Sequence, residues 1–402
     1  MANVHGFGAK GDGQTDDTAA LQHALERGDG VLEFPRGDYV IFSPLVVPLA
    51  QRGRLALTGQ GGVARLVMRG AGPALHLVGT HARTALPADF TEGVWQRERF
   101  PTIADLEIVG SHEQADGIRL EGVMQPTLSR VLIRKCRHGV HLVKRARNVL
   151  IADCHIYDNS GVGIFLDGVN LHQTNIVGNH ISYCKQGGLR IVASEVRNIQ
   201  ITGNDIEYNF DPSLDACADV CFDCRNGTVR EGTIVSNTIQ AKQSPNGANV
   251  RLIGVGRDDP NAVGLLAVTG NLIGSQETAL HLQACRGVVV TGNSIYSGYL
   301  NAILAEDAEH LVLGPNSIDH NPEYRGKSTD RVVLRNCRNV NFTATLLQHT
   351  LEATQQPEAS LAIADCESVN VTGCQIIHAR SRGIDVRSSR QVRIADCTIR
   401  GR

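Results

Sequence analysis

The chain is poor in large rings. Its 402 residues include one Trp, seven Tyr and nine Phe, so its core has to be filled mainly by aliphatic side chains. Proline is modest, at 13. No apolar run approaches the roughly 18–20 residues that a membrane-spanning helix needs. Charge of one sign is missing too: 39 Lys and Arg face 41 Asp and Glu, a formal net charge of −2. Nothing in that balance points to a nucleic acid or a membrane as partner. The opening MANVHGFGAKGDG has neither the basic start nor the apolar stretch of a secretion signal. What is plentiful is glycine, at 42, which favours many short turns over helical bundles, and cysteine, at 11. An odd cysteine count without the spacing of a disulfide framework suggests reduced, buried thiols. The expectation is a cytoplasmic protein, with secretion or a place in a virion open if a leader was removed.

Repetition organises the rest. IADCHI, IVGNHI, ITGNDI, IVSNTI, AVTGNLI, VVTGNSI, LGPNSI, VTGCQI and IADCTI align on Cys154, Asn179, Asn204, Asn237, Asn271, Asn293, Asn316, Cys374 and Cys397. Successive spacings are 25, 25, 33, 34, 22 and 23 residues, then a double gap of 58 with a degenerate anchor near Thr345, then 23. A second motif follows each anchor: GIFLDG, GLRIV, DVCFD, NVRLI, ALHLQ, AILAE. It alternates apolar and variable residues as a strand does. Units of this length with short strands and tight turns define an all-β solenoid, in which each coil buries its apolar face only against its neighbours. The anchor Asn residues are expected to stack in a ladder of side-chain amides.

At the N-terminus, GDGQTDDTAALQHALERGDG predicts a short amphipathic helix over about 15–27, with Thr15 as N-cap and Asp16 and Asp17 in its first turn. Such a helix would lie over the first coil and block edge pairing. FGAKGDGQTDDTAAL followed by GVLEFPRGDYVI resembles the start of the pectate-lyase superfamily of right-handed parallel β-helix proteins. That family includes polygalacturonase-like hydrolases, polysaccharide lyases, epimerases and phage tailspikes. The resemblance implies one right-handed parallel β-helix domain over 1–402: a cap and first strands over 1–50, then coils over 51–402, with long loops near 208–218 and 254–264. It also implies a polysaccharide or oligosaccharide substrate and, by analogy with tailspikes, a homo-trimer. The chain stops in mid-coil at IADCTIRGR, which leads us to expect a further tail or a subunit contact there.

In Gly163-Ile164-Phe165-Leu166-Asp167, Ile164 and Leu166 face the core, so Phe165 and Asp167 face out. Carried from coil to coil, this register gives two outward columns. One reads Arg119, His141, Phe165, Arg190, Cys221, Arg251, His281, Leu304; the other reads Glu121, Val143, Asp167, Val192, Asp223, Ile253, Gln283, Glu306. Arg190, Arg251, His281, His141, Asp167, Phe165, Gln283 and Glu306 are the expected substrate-binding residues, since Arg forks onto carboxylates and Phe stacks on sugar rings. Residues 203–224, GNDIEYNFDPSLDACADVCFDC, hold six acids and no Lys or Arg. They fall where a coil is lengthened, and such insertions commonly mark the binding face.

Glycoside hydrolysis needs a carboxylic acid and a second carboxylate, and Asp219, Asp215, Glu207 and Asp223 are the candidates. Asp219 and Asp223, four residues apart on a strand, would stand roughly 13 Å apart, so Asp215 or Glu207 is the expected partner of Asp219. In polygalacturonase-like enzymes acids precede an outward strand. QADG at 114–117 and CADVCF at 217–222 are similar, but no G-H-G or R-I-K motif is present. The alternatives are a lyase or other sugar-transforming enzyme, with Arg190 and Arg251 neutralising a uronate and His281 or His141 as base, and a noncatalytic glycan-binding or tail-fibre-like protein. No cofactor is expected, although Ca²⁺ could be held by the acids. Cys217, Cys221 and Cys224 sit on a strand whose alternate residues point apart, so they are not expected to share a metal.

Overall fold

The computed structural model describes residues 1–82, 86–256, 259, 262–323, 328–348, 359–379 and 382–401. Four residues of the loop expected near 254–264 (257, 258, 260 and 261) lie outside that set. The chain divides into two units, Met1–Gln200 and Ile201–Arg402. Each is a right-handed parallel β-helix.

In the N-terminal unit, Ala115–Met124, Val140–Ala152 and Val162–Val177 pair in parallel, and Gly187–Val192 joins them. A separate stack holds the short strands Leu132–Arg134, His155–Tyr157 and His180–Ser182. Ile118, Leu120, Leu142, Ile164, Leu166, Leu189 and Ile191 fill the coil interior and are all essentially buried. Each outward strand turns its corner through a single residue of positive φ: Gly122, Lys144, Gly168 and Ala193. A second such residue, Asp153 or Gly178, precedes each anchor, which explains the recurring Gly-Asn pair.

The C-terminal unit repeats the plan. Ala218–Asp223, Ala248–Ile253, Thr278–Gln283 and Asn301–Glu306 stack in register. Val220, Phe222, Val250, Leu252, Leu280, Leu282 and Ile303 lie inside, fully buried. Its Asn ladder forms as the spacing predicts. The Asn237 side chain accepts from Asn204 N at 2.9 Å, Asn271 accepts from Asn237 N at 3.0 Å, and Asn293 accepts from Asn271 N at 3.0 Å. In the N-terminal unit Asn179 does the same for Cys154 N, at 3.0 Å.

The terminal helix is Thr18–Arg27, three residues later than its sequence suggests at the start. Thr15 is not the N-cap, because its hydroxyl and amide are taken by Asp12. Asp17 holds the cap position instead, while its carboxylate accepts from Lys10 N and Gly11 N. The helix does guard an edge. The Gln22 amide bonds both Val46 N and Val46 O, at 3.0 and 3.1 Å, as a further strand would.

All eleven cysteines are free, and most are buried. No helix among the described residues is long and apolar enough to cross a membrane.

Candidate functional site

The outward columns form in each unit with the register read from the alternation. In the N-terminal unit His76, Arg119, His141, Phe165 and Arg190 are successive partners across neighbouring strands. Val78, Glu121, Val143, Asp167 and Val192 run beside them. Parallel strands spaced at about 4.8 Å therefore present five consecutive side chains along one line.

These side chains touch. The Phe165 ring lies flat on His141, with centroids 5.2 Å apart and planes at 10°. His138 packs against both rings, at 5.0 and 5.3 Å. His141 Nε2 meets Asp167 at 3.1 Å, and its Nδ1 is buried with no partner among the described residues. Glu121 gathers His76 at 3.4 Å, Arg119 at 3.6 Å and the Lys144 ammonium. Burial pushes His76 and His141 below the ordinary histidine range, and His138 down to about 4. At neutral pH these rings are neutral. Burial pushes Glu121 upward, but the Lys144 hydrogen bond and the charges of Lys144 and Arg119 outweigh it, so Glu121 stays ionised. Asp116, in the QADG stretch, is sealed beneath the face. It grips Arg137 through two bonds of 2.9 and 2.7 Å and accepts from His138 N.

In the C-terminal unit the expected catalytic acids do not converge. Asp219 is 1% exposed and turned into the coil. It accepts from Asn209 N at 3.1 Å, Asn209 Nδ2 at 3.2 Å and Asn249 Nδ2 at 3.1 Å. Burial pushes its carboxyl up to about 8. Two residues before outward Cys221, Asp219 would face out by alternation alone, but it stands at the corner that other coils give to glycine, where a side chain points in toward the buried Ile row, as at Gly117, Gly139 and Gly163. Asp215 is exposed and bonds Asn246 Nδ2 at 2.7 Å. Asp223 is clamped by Arg225 at 2.8 and 2.5 Å. Glu207 belongs to the other stack, on Asp205–Glu207. Burial and then Asp205 raise its pKa, and its own charge in turn raises that of Asp219.

Arg251 also departs from expectation. It is 7% exposed rather than open to solvent. Its guanidinium donates to Ala216 O and Asn246 O, pinning the long 208–218 loop. His281 meets Glu306 at 3.2 Å, Arg335 meets the same carboxylate at 2.6 Å, and Gln283 is Glu306's neighbour in register. Among the described residues no three His, Cys, Asp or Glu side chains cluster as a metal ion would require.

His76, His138 and the Lys144–Arg145 pair escaped the sequence reading. His76 occupies the middle of GPALHLV, the same alternation as GVHLV, so extending the column one coil would have found it. His138 reaches the face from a corner, which no period of two can signal.

The fold and its outward face define a class, and the family comparison agrees. The chain belongs to the right-handed β-helix family: the model described as "Right handed beta helix region" matches residues 101–239 and 224–401. A second, "Rhamnogalacturonase A/epimerase, pectate lyase-like", matches residues 1–78. Among solved structures, the mannuronan C-5 epimerase AlgE6 A-module of Azotobacter vinelandii is 14% identical, with 99% of each chain covered and a TM-score of 0.53. The AlgE4 A-module of the same organism is also 14% identical, covering 99% of this chain and 96% of that one, with a TM-score of 0.50. At that identity the likeness is one of fold. The curated Penicillium expansum protein "Non-secreted LysM effector LysM19" is 42% identical over 11% of this chain, and the match spans 4% of its own length.

Proposed function

We propose that this protein binds a uronate-bearing polysaccharide along the outward face of its N-terminal unit and acts on it by proton abstraction, as a lyase or an epimerase does. The observation that carries this reading is the in-register column His76–Arg119–His141–Phe165–Arg190. Phe165, held flat by His141, offers a platform for a sugar ring. Arg119 and Arg190 bracket it, three coils apart, or roughly 14 Å at the usual strand spacing. They suit carboxylates that recur along a polymer.

Abstracting the proton next to a uronate carboxylate moves negative charge onto that carboxylate, and a guanidinium beside it stabilises the charge. His141, kept neutral by burial, donates its Nε2–H to Asp167 at 3.1 Å and has its Nδ1 buried, so the half-exposed Asp167 carboxylate is the member of the pair placed to take the proton, with His141 orienting it. Hydrolysis by a carboxylate pair has less support, because it needs a protonated carboxyl at the surface. Glu121 is held ionised, Asp219, whose pKa is raised, is sealed inside its coil, and Glu207, partly open with a raised pKa, stands on the other stack of strands, away from the outward columns.

The test is a panel of uronate and neutral polysaccharides, read by reducing ends, by unsaturated-uronate absorbance and by the epimer ratio in NMR. Unsaturated ends or a changed epimer ratio on a uronan are expected, with turnover falling about 10²–10⁴-fold in Asp167→Asn. Reducing ends without unsaturation would instead establish a hydrolase, and binding without turnover a noncatalytic glycan receptor.

A further inference from the structure

Beside the outward face of the N-terminal unit lies a cleft of about 390 Å³, at the corner where the outward strands turn. That is the lower end of the range of small-molecule sites, roughly 300–1,000 Å³. Its floor is set by glycine. A Cβ on Gly79 would stand 2.2 Å from Gly122 O, and one on Gly122 would stand 2.4 Å from Gly79 O. Only two glycines let these coils close to the bond Gly79 N–H to Glu121 O, 2.8 Å. One wall is Thr80, whose amide and hydroxyl are fixed by buried Glu98 at 2.7 and 2.6 Å.

The other wall carries Lys144 and Arg145 beside the ionised carboxylate of Glu121. Arg145 borders the cleft and is 6% exposed. Its Nε donates to His81 Nε2 at 3.2 Å and its Nη2 is sealed from solvent without an acceptor among the described residues, which leaves Nη1 as the nitrogen that can face the cleft. No carboxylate among those residues lies within ion-pair reach of it. His81 offers it no charge: burial, then the charges of Arg145 and Arg147, push that ring down to about 4. Lys144 stands at the mouth, bonded to Glu121 and otherwise open. Glu195 is the carboxylate whose charge reaches Arg145, from beyond ion-pair distance; a guanidinium taken from water with so little compensation is unfavourable, and an anion seated in the cleft would meet it at Nη1.

We infer that this corner cleft is an oxyanion subsite, taking a uronate carboxylate or a sulfate ester carried by the glycan. It rests on the proposed function for the glycan, but not for the anion. Arg145 meets the oxyanion through Nη1, Thr80 bounds the opposite wall, and Lys144, held by Glu121, closes the mouth.

The experiment measures binding of three oligosaccharides of equal length to the full chain: a uronate, a sulfated and an unsubstituted one, with inorganic sulfate as a separate probe. At least one charged oligosaccharide is expected to bind tenfold or more tighter than the neutral one, and its identity distinguishes carboxylate from sulfate. Arg145→Met keeps the aliphatic stem and should cut that advantage about threefold or more, the remainder coming from Arg119 and Arg190, with circular dichroism showing that the fold is kept. Lys144→Ala, at an exposed position, should weaken it about threefold. Charged and neutral glycans binding alike, or both variants binding as the wild type does, would overturn the subsite. A uronan acted on normally by Arg145→Met would remove the subsite and leave the proposed function standing. Sulfate held by the wild type and lost in Arg145→Met, with no glycan bound, would do the reverse.

Discussion

Asp219 shows how one side chain's direction decides its role. Three N–H groups point at its carboxylate, yet burial holds its pKa near 8. Asn249 Oδ1 has no partner among the described residues. A turned Asn249 amide would accept from a protonated Asp219, and would accept equally from an amide at that position. Asp219→Asn should therefore keep turnover within about twofold, where loss of a catalytic acid would cost about 10²–10⁴-fold. It should also raise the melting temperature at pH 8 and above, where the wild type has to bury a charge. A large loss of turnover with the fold intact would return Asp219 to the mechanism. Arg251 is the converse case. As a surface residue its removal would cost under about 1 kcal/mol. As the donor to Ala216 O and Asn246 O, Arg251→Ala should cost about 2–3 kcal/mol, and urea unfolding reads the difference.

The Asn ladder is the element that sets the stacking. Asn271 makes four side-chain bonds: it accepts from Asn237 N and Nδ2, and donates to Ile234 O and to Asn293 Oδ1. Asn271→Ala should cost about 3 kcal/mol by stranding buried partners, and denaturant midpoints check this. Asn271→Cys, the residue found at Cys154 and Cys374, should cost less. The thiol can donate to a main-chain carbonyl, as Cys374 does to Thr372 O at 3.6 Å, but it accepts poorly. The ladder was legible from sequence because a stacked coil repeats the same contact at the same position, and the outward register was legible because a strand alternates with period two. The depth of a side chain was not. Cys221 and Arg251 are register partners, yet Cys221 is partly open and Arg251 is buried, because the 208–218 loop folds over Arg251. Corner residues such as Lys144 and His138 fall between the periodic positions, and the corner cleft with them.

For the molecule as a whole, the buried titratable groups set opposite pH responses in the two units. In the N-terminal unit His81 and His138 have folded pKa values near 4, against 6.5 for a free histidine. Between those values the unfolded chain binds protons that the folded unit refuses. Stability is therefore complete above about pH 6.5 and is lost as pH falls toward 4. In the C-terminal unit Asp219 and Asp330 are pushed by burial from 3.8 up to about 8. The folded unit there holds protons that the unfolded chain releases, so stability is greatest below about pH 4 and declines as pH rises toward 8. Glu121 and Glu306 have lowered pKa values, one in each unit, and lose their contribution in acid below the ordinary glutamate range. They therefore act outside the window that separates the histidines from the aspartates. Hydrogen exchange, corrected for the intrinsic pH dependence of the amide rate, reports on each unit by its own strands. Between pH 4.5 and 6.5, protection should rise in Val140–Ala152 and Val162–Val177 and fall in Ala218–Asp223 and Ala248–Ile253. In the Asp219→Asn, Asp330→Asn double variant the second trend should flatten while the first persists. Protection moving the same way in both units would show that these four groups do not govern the response. A trend unchanged in the double variant would show that the C-terminal dependence comes from elsewhere than the two sealed carboxyls.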